Sequence, residues 1–183
     1  MDVIAVNRMT GWENKTMKRL FTLDLQNYDL KWPRFIRPSV RGIIMKNGKI
    51  ALVHTGKFDY YRFPGGGIET GETKEEALIR EVKEESGLVV IPESIKEFGS
   101  VLRISKVRGS ENIIFEQENF YYLCEVKDEI GETDFDVHEM EEQYTLVFTT
   151  IEEAIKRNRS NDHGEENGSA AVERETRILE LLV

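Results

Sequence analysis

The stretch FPGGGIETGETKEEALIREVKEESGL, residues 63–88, sets three glycines behind a proline and then crowds carboxylates along one segment. Thr73-Lys74-Glu75-Glu76 is a capping-box pattern, in which a threonine and a glutamate three residues on satisfy backbone N–H groups reciprocally. A helix is therefore expected to start near Thr73. Gly87 suits the left-handed cap that ends one. At about 100° per residue, Glu85 lies about 40° from Glu81 on one side and Glu84 about 60° on the other. All three share one face. Leu78, Ile79 and Val82 form the stripe expected to pack on a sheet. Ala77, on the acidic face, is small enough to let backbone approach there.

Like charges one turn apart weaken a helix unless something positive sits among them. Mg²⁺, with Mn²⁺ as a substitute, suits three converging carboxylates, because hard cations prefer oxygen ligands. Gly65, Gly66 and Gly67 let the preceding loop fold tightly, with its carbonyls in reach of such an ion and Gly65 a candidate substrate contact. No cysteine–histidine spacing of the zinc type appears.

Upstream, Asn47-Gly48 between two β-rich runs, 40–45 and 49–54, predicts a hairpin. Residues 1–17 show no clear period, Leu20–Leu30 alternates roughly as an edge strand does, and KWPRFIRP reads as a connection. Tyr60–Phe63 is a short strand. Downstream, two long strands flank RGSE at 108–111. The acidic segment 128–142 reads as a loop, 144–150 as a last strand and 150–158 as a helix capped by Thr150. A polar linker, 158–168, leads to a C-terminal helix over 169–183 with an apolar stripe at Ala171, Ile178, Leu179 and Leu182. The order predicts a mixed α/β fold, one domain over 1–183 with an N-terminal extension over about 1–37.

Of the 183 residues 39% are hydrophobic and 32% charged, enough for a packed core. A net charge of −9 counts against a protein that grips nucleic acid through its phosphates. It allows a small phosphate-bearing substrate if cations cover the acidic site. A single cysteine, Cys124, excludes an intrachain disulfide framework and fits the cytoplasm. No apolar run reaches membrane-spanning length, so no membrane partner is expected.

Gly66, five residues, Glu72, seven residues, then Arg80-Glu81-Val82-Lys83-Glu84-Glu85-Ser86-Gly87-Leu88 resembles the Nudix hydrolase box at every defined position. The hairpin, the preceding FPG, the later strands and the late helix extend the resemblance over roughly residues 38–160. The resemblance implies a Nudix-type α/β/α sandwich that hydrolyses a diphosphate linkage in a nucleoside diphosphate derivative, such as a nucleoside triphosphate or nucleotide sugar. By matching position, Glu81, Glu84, Glu85 and the Gly66 carbonyl would ligate metal. Arg80 would orient a carboxylate, and Glu72 would serve at the loop–helix junction. The proton acceptor would be a box glutamate such as Glu81 or Glu84, or a later one: Glu139 first, with Glu141, Glu142 and Glu118 as alternatives. A silent nucleotide-sensing module is the competing reading. Diphosphate isomerisation would want a catalytic cysteine, which the apolar setting of Cys124 does not suggest.

Two subfamily marks are missing. A proline sixteen residues after the box's last glycine, as in ADP-ribose pyrophosphatases, is replaced by Arg103. A tyrosine one or two residues further on, as in diadenosine polyphosphate hydrolases, is replaced by Ile104 and Ser105. Outside the box, Arg37 and Arg34 could hold a substrate phosphate, and Tyr61 could stack on a base if its ring faces the cleft. His54, His138 and His163 are scattered and read as ordinary histidines. A homodimer is left open.

Overall fold

The structure is a computed structural model and describes residues 17–107, 109, 112–160, 162–164 and 169–183. The expectations for residues 1–16, most of the turn at 108–111 and part of the linker at 158–168 lie outside the described residues.

In chain order the elements are β1 (Arg19–Asp24), β2 (Arg34–Ile36), β3 (Ser39–Lys46), β4 (Lys49–Thr55), β5 (Tyr60–Arg62) and α1 (Lys74–Ser86). Then come β6 (Leu88–Val90), β7 (Lys96–Lys106), β8 (Ile114–Leu123), β9 (Val126–Ile130), α2 (Val137–Glu141), β10 (Tyr144–Thr149), α3 (Ile151–Ser160) and α4 (Ala170–Glu180). A mixed sheet runs β1-β7-β8-β3-β4-β10, with β2 also on β8 and β5 also on β4. β3 lies parallel to β8 and antiparallel to β4, so the sheet is mixed at its centre.

Local signals explain the elements nearest the site. Asn47 and Gly48 take φ of 51° and 73°, the left-handed pair that a two-residue hairpin turn between twisted strands requires. Thr73 and Glu76 form the capping box of α1, and Gly87 ends it at φ 70°.

Helices cover both faces of the sheet. α1 packs Ala77, Leu78 and Val82 against Val40, Ile44, Ala51 and Tyr122. On the other face, α4 packs Ile178 and Leu179 with Ile43, Leu52, Phe63, Val101 and Tyr121, joined by Ala154 of α3. Each fully buried aliphatic or aromatic side chain contributes about 1.5–3 kcal/mol. The arrangement is an α/β/α sandwich. No helix among the described residues is long and apolar enough to cross a membrane.

The structure departs from expectation in several places, and the strand expected over Leu20–Leu30 is β1, which ends at Asp24. Segment 128–142 is no simple loop: β9 pairs antiparallel with β6, and α2 follows under its own capping box, Asp136 with Glu139. KWPRFIRP is not wholly a connection, because its middle, between the two prolines, is β2. Ala77 is fully buried in the apolar cluster that α1 presents to the sheet, and so belongs with Leu78 and Val82 instead of the acidic face. α4 buries Arg174, Glu175 and Thr176 as well as its apolar residues, and Ala171 is only half-buried.

Candidate active site

The glycine turn continues the sheet. Pro64, Gly66 and Pro38 carbonyls accept N–H groups of Gly42, Val40 and Ile68 at 2.9, 2.9 and 3.1 Å, which lays the turn along β3. Gly65 takes φ 139°, and a Cβ there would stand 2.2 Å from the Val40 carbonyl oxygen. A Cβ on Gly66 would stand 2.1 Å from Glu81 Oε2. Only glycine lets the turn lie this close to Glu81.

Arg80 gathers the acidic face of α1. Its Nε and Nη2 donate to the two oxygens of Glu72 at 2.8 and 2.9 Å, and Nη2 also reaches the Gly67 carbonyl at 3.0 Å. Its Nη1 donates to Glu81 Oε1 at 2.7 Å and to Glu84 Oε2 at 3.0 Å. Two carboxylates thus converge on one cationic nitrogen. The Arg80 hydrogen bonds hold the Glu72 carboxyl below the usual carboxylate range.

Glu85 turns inward and is 2% exposed. Its Oε2 accepts the Gly65 N–H at 2.7 Å and its Oε1 faces Arg62 Nη2 at 3.2 Å. Burial pushes its carboxyl up to about 7, although Arg62, Arg41 and the Gly65 N–H pull the other way.

Loop 131–136 is tied to the end of α1 by two backbone hydrogen bonds, Gly131 N–H to Gly87 O at 2.8 Å and Asp134 N–H to Glu84 O at 2.9 Å. This brings α2 to the site. Glu139 caps α2 by accepting the Asp136 N–H at 2.8 Å. Burial raises its carboxyl, although the Asp136 N–H that it accepts pulls the other way, and the Glu81 charge adds to the rise. A cleft of about 300 Å³ opens here, lined by Arg80, Lys83, Glu84, Glu132 and Asp134. The alternatives are placed differently. Glu118 pairs with Arg19 at 2.6 Å, and Glu141 is exposed, 4.0 Å from His138.

Other candidates change role. Tyr61 is 7% exposed, on the α3–α4 side of the sheet between His54 and Arg157, so its ring packs in the core instead of facing the cleft. Gly65 uses both backbone groups inside the protein, its carbonyl accepting from Arg41 and Arg62. It holds the turn and is not free to hold substrate. Arg34 pairs with Glu116. Arg37 is exposed, with its guanidinium against Gly67, where a Cβ would be 2.9 Å from Nε. His54 faces Asp59 at 2.7 Å, and His163 is buried between the Phe58 and Asn158 carbonyls.

Sequence reasoning missed a buried charge cluster of Arg41, Arg62, Arg174, Glu85 and Glu175. One signal was readable: Glu175 stands three and four residues before Ile178 and Leu179, on the stripe that α4 buries.

The donor set suits a hard divalent cation, since it consists of carboxylate and carbonyl oxygens. Glu81 and Glu84 converge, and the Gly66 turn lies against Glu81. Among the described residues, no three His, Cys, Asp or Glu side chains are already spaced to hold one ion. In this structure Arg80 supplies the positive charge between Glu81 and Glu84.

The site is thus a glycine turn packed against an acidic helix within an α/β/α sandwich. A family model for the NUDIX domain matches residues 36–171, and the chain belongs to the Nudix family. It is similar to the ADP-ribose pyrophosphatase of Methanocaldococcus jannaschii, 42% identical over 71 residues that cover 36% of this chain and 40% of that protein. It is also similar to the RNA pyrophosphohydrolase of Xanthomonas campestris pv. campestris, 36% identical over 69 residues, 37% of this chain and 33% of that protein. The matches span well under half the length of these curated relatives. A NUDIX hydrolase from Nitrosomonas europaea superposes with a TM-score of 0.51 at 19% identity, over 67% of this chain and 78% of that one, a likeness of fold alone.

Proposed function

We propose that the protein is a Mg²⁺-dependent hydrolase of a diphosphate linkage in a small nucleoside diphosphate derivative, with Mn²⁺ as a working substitute. The observation that carries this is the convergence of Glu81 and Glu84 beside the Gly66 turn. The ion would be held by the carboxylates of Glu81, Glu84 and Glu85 with the Gly66 carbonyl. When bound, it offsets the charge of the diphosphate and lowers the pKa of a coordinated water.

The chain's own residues do the rest. Arg80 keeps Glu81 and Glu84 oriented through charge-assisted bonds. Glu139, with its raised carboxyl, takes the proton of the attacking water. Arg37, exposed beside Gly67 with no side-chain hydrogen bond or ion pair among the described residues, receives a substrate phosphate. The names of both sequence relatives describe pyrophosphate cleavage, which supports the reaction class. The net charge of −9 favours a small substrate over an RNA end. The cytoplasm is the proposed location.

The test is a panel of nucleoside triphosphates, nucleotide sugars, dinucleotides and capped or triphosphorylated RNA incubated with Mg²⁺, with products identified by mass. One small substrate should turn over, and Glu84→Gln should abolish that turnover while the protein stays folded. Tight binding without turnover would favour the nucleotide-sensing module.

A further inference from the structure

The outer edge of β5, away from β4, is met by side chains. Asn158 Oδ1 accepts the Tyr61 N–H at 2.8 Å, and Asn158 Nδ2 donates to the Tyr61 carbonyl at 2.9 Å. Two residues on, the Phe63 N–H donates to Glu175 Oε2 at 3.2 Å. Two further on, the Gly65 N–H donates to Glu85 Oε2 at 2.7 Å. Successive N–H groups of one edge are thus received by α3, α4 and α1 in turn. The last of these belongs to the turn that precedes Gly66.

Glu175 also balances charge. Three guanidiniums, Arg41, Arg62 and Arg174, surround this strand with two carboxylates, Glu85 and Glu175. Arg41 and Arg62 both donate to the Gly65 carbonyl. Arg174 reaches across to Asn119 Oδ1 at 2.8 Å, which anchors Glu175 from behind. Asn158, Glu175, Arg41 and Arg174 are all at least nine-tenths buried. The family match ends at residue 171, so the part of α4 that carries Glu175 lies beyond it.

We propose that Glu175 and Asn158 are positioning residues: they clamp the outer edge of β5 and so set the Gly65 turn against Glu85 and Glu81. Their effect on metal affinity rests on the proposed function; their effect on the turn does not.

Two readouts separate these. The first is the Gly65 amide resonance and its hydrogen exchange in metal-free protein. The second is Mn²⁺ affinity measured by electron paramagnetic resonance. Glu175→Gln keeps the shape and removes the charge. Asn158→Ala loosens the same edge from α3 and leaves the buried charges intact. Arg159→Ala is the control, breaking the surface pairs with Glu173 and Glu180 that join α3 to α4. Both edge variants should move the Gly65 resonance, speed its exchange and weaken Mn²⁺ about tenfold, the usual scale for a residue that supports a ligand. The control should lower the melting temperature alone. An unmoved Gly65 resonance in both edge variants overturns the proposal, as does an equal shift in the control. If Glu175→Gln does not fold, Asn158→Ala decides by the same criterion. Failure of the wild-type protein to bind Mn²⁺ would sink the metal reading, while the resonance would still decide the positioning.

Discussion

Arg80 grips Glu72 with two parallel hydrogen bonds, Nε to Oε1 and Nη2 to Oε2, while its remaining nitrogen spans Glu81 and Glu84. A lysine would keep the charge but lose the fork. Arg80→Lys should therefore cost about 2 kcal/mol of stability, the scale of a lost charge-assisted bond. Urea unfolding measures this. It should also lower kcat more than it changes KM, because Glu81 and Glu84 lose their common anchor.

The glycines separate two kinds of cost. Gly65→Ala sets a methyl group onto the Val40 carbonyl and forces a left-handed φ on alanine, so it should destabilise by more than about 2 kcal/mol. The nearest atoms that Gly66→Ala meets are the end of the Glu81 side chain, which can swing away. Its melting temperature should stay within a few degrees, and Mn²⁺ binding should fail. Equal stability losses in both variants would contradict this.

Acid should expose the contribution of Glu175. Burial alone would raise its carboxyl, but Arg174 and Arg41 together hold it below the ordinary value of 4.5. A depressed carboxyl contributes stability that is present above the unfolded value and is lost as pH falls toward the folded one. One such proton is worth up to about 1.4 kcal/mol per pH unit. As pH falls below the ordinary carboxylate value of 4.5, wild-type unfolding free energy should fall more steeply than that of Glu175→Gln. Parallel curves would count against the buried pair.

Cys124 is 7% exposed, and burial pushes its thiol up to about 12. A thiolate is the reactive form. A thiol reagent at neutral pH should leave the native protein unlabelled and titrate one thiol after denaturation. Rapid labelling of the folded protein would show that the connection between β8 and β9, where Cys124 sits, opens.

The parts of the fold readable from sequence are those with local causes. Asn47-Gly48 specifies its hairpin through left-handed φ values, and Thr73 with Glu76 starts α1 through reciprocal capping. Helical spacing sets Glu84 one turn from Arg80 on the same face. Asp136 and Glu139 repeat the capping pattern of Thr73 and Glu76, so α2 was also open to reading, although the surrounding acidity reads as a loop. The rest depends on what packs where. Glu85 shares a helical face with Glu81 in projection, yet Arg62 and the Gly65 N–H draw it inward. Tyr61 faces α3 because α3 covers that side of β5, which no local period reveals. Arg41 and Glu175 are more than 130 positions apart in the chain, and their burial together is a property of the assembled sheet.

Asn158 and Glu175 stand where a further strand could have stood. An uncovered edge is a template on which another chain can add a strand, and β5 ends in a glycine turn with little bulk to obstruct it. The C-terminal helices therefore act as gatekeepers against self-association as well as supports for the turn. Trimming the chain back to Ser160 would keep Asn158 on Tyr61 but strip Glu175 from the Phe63 N–H, and so bare the part of the edge that leads into the site.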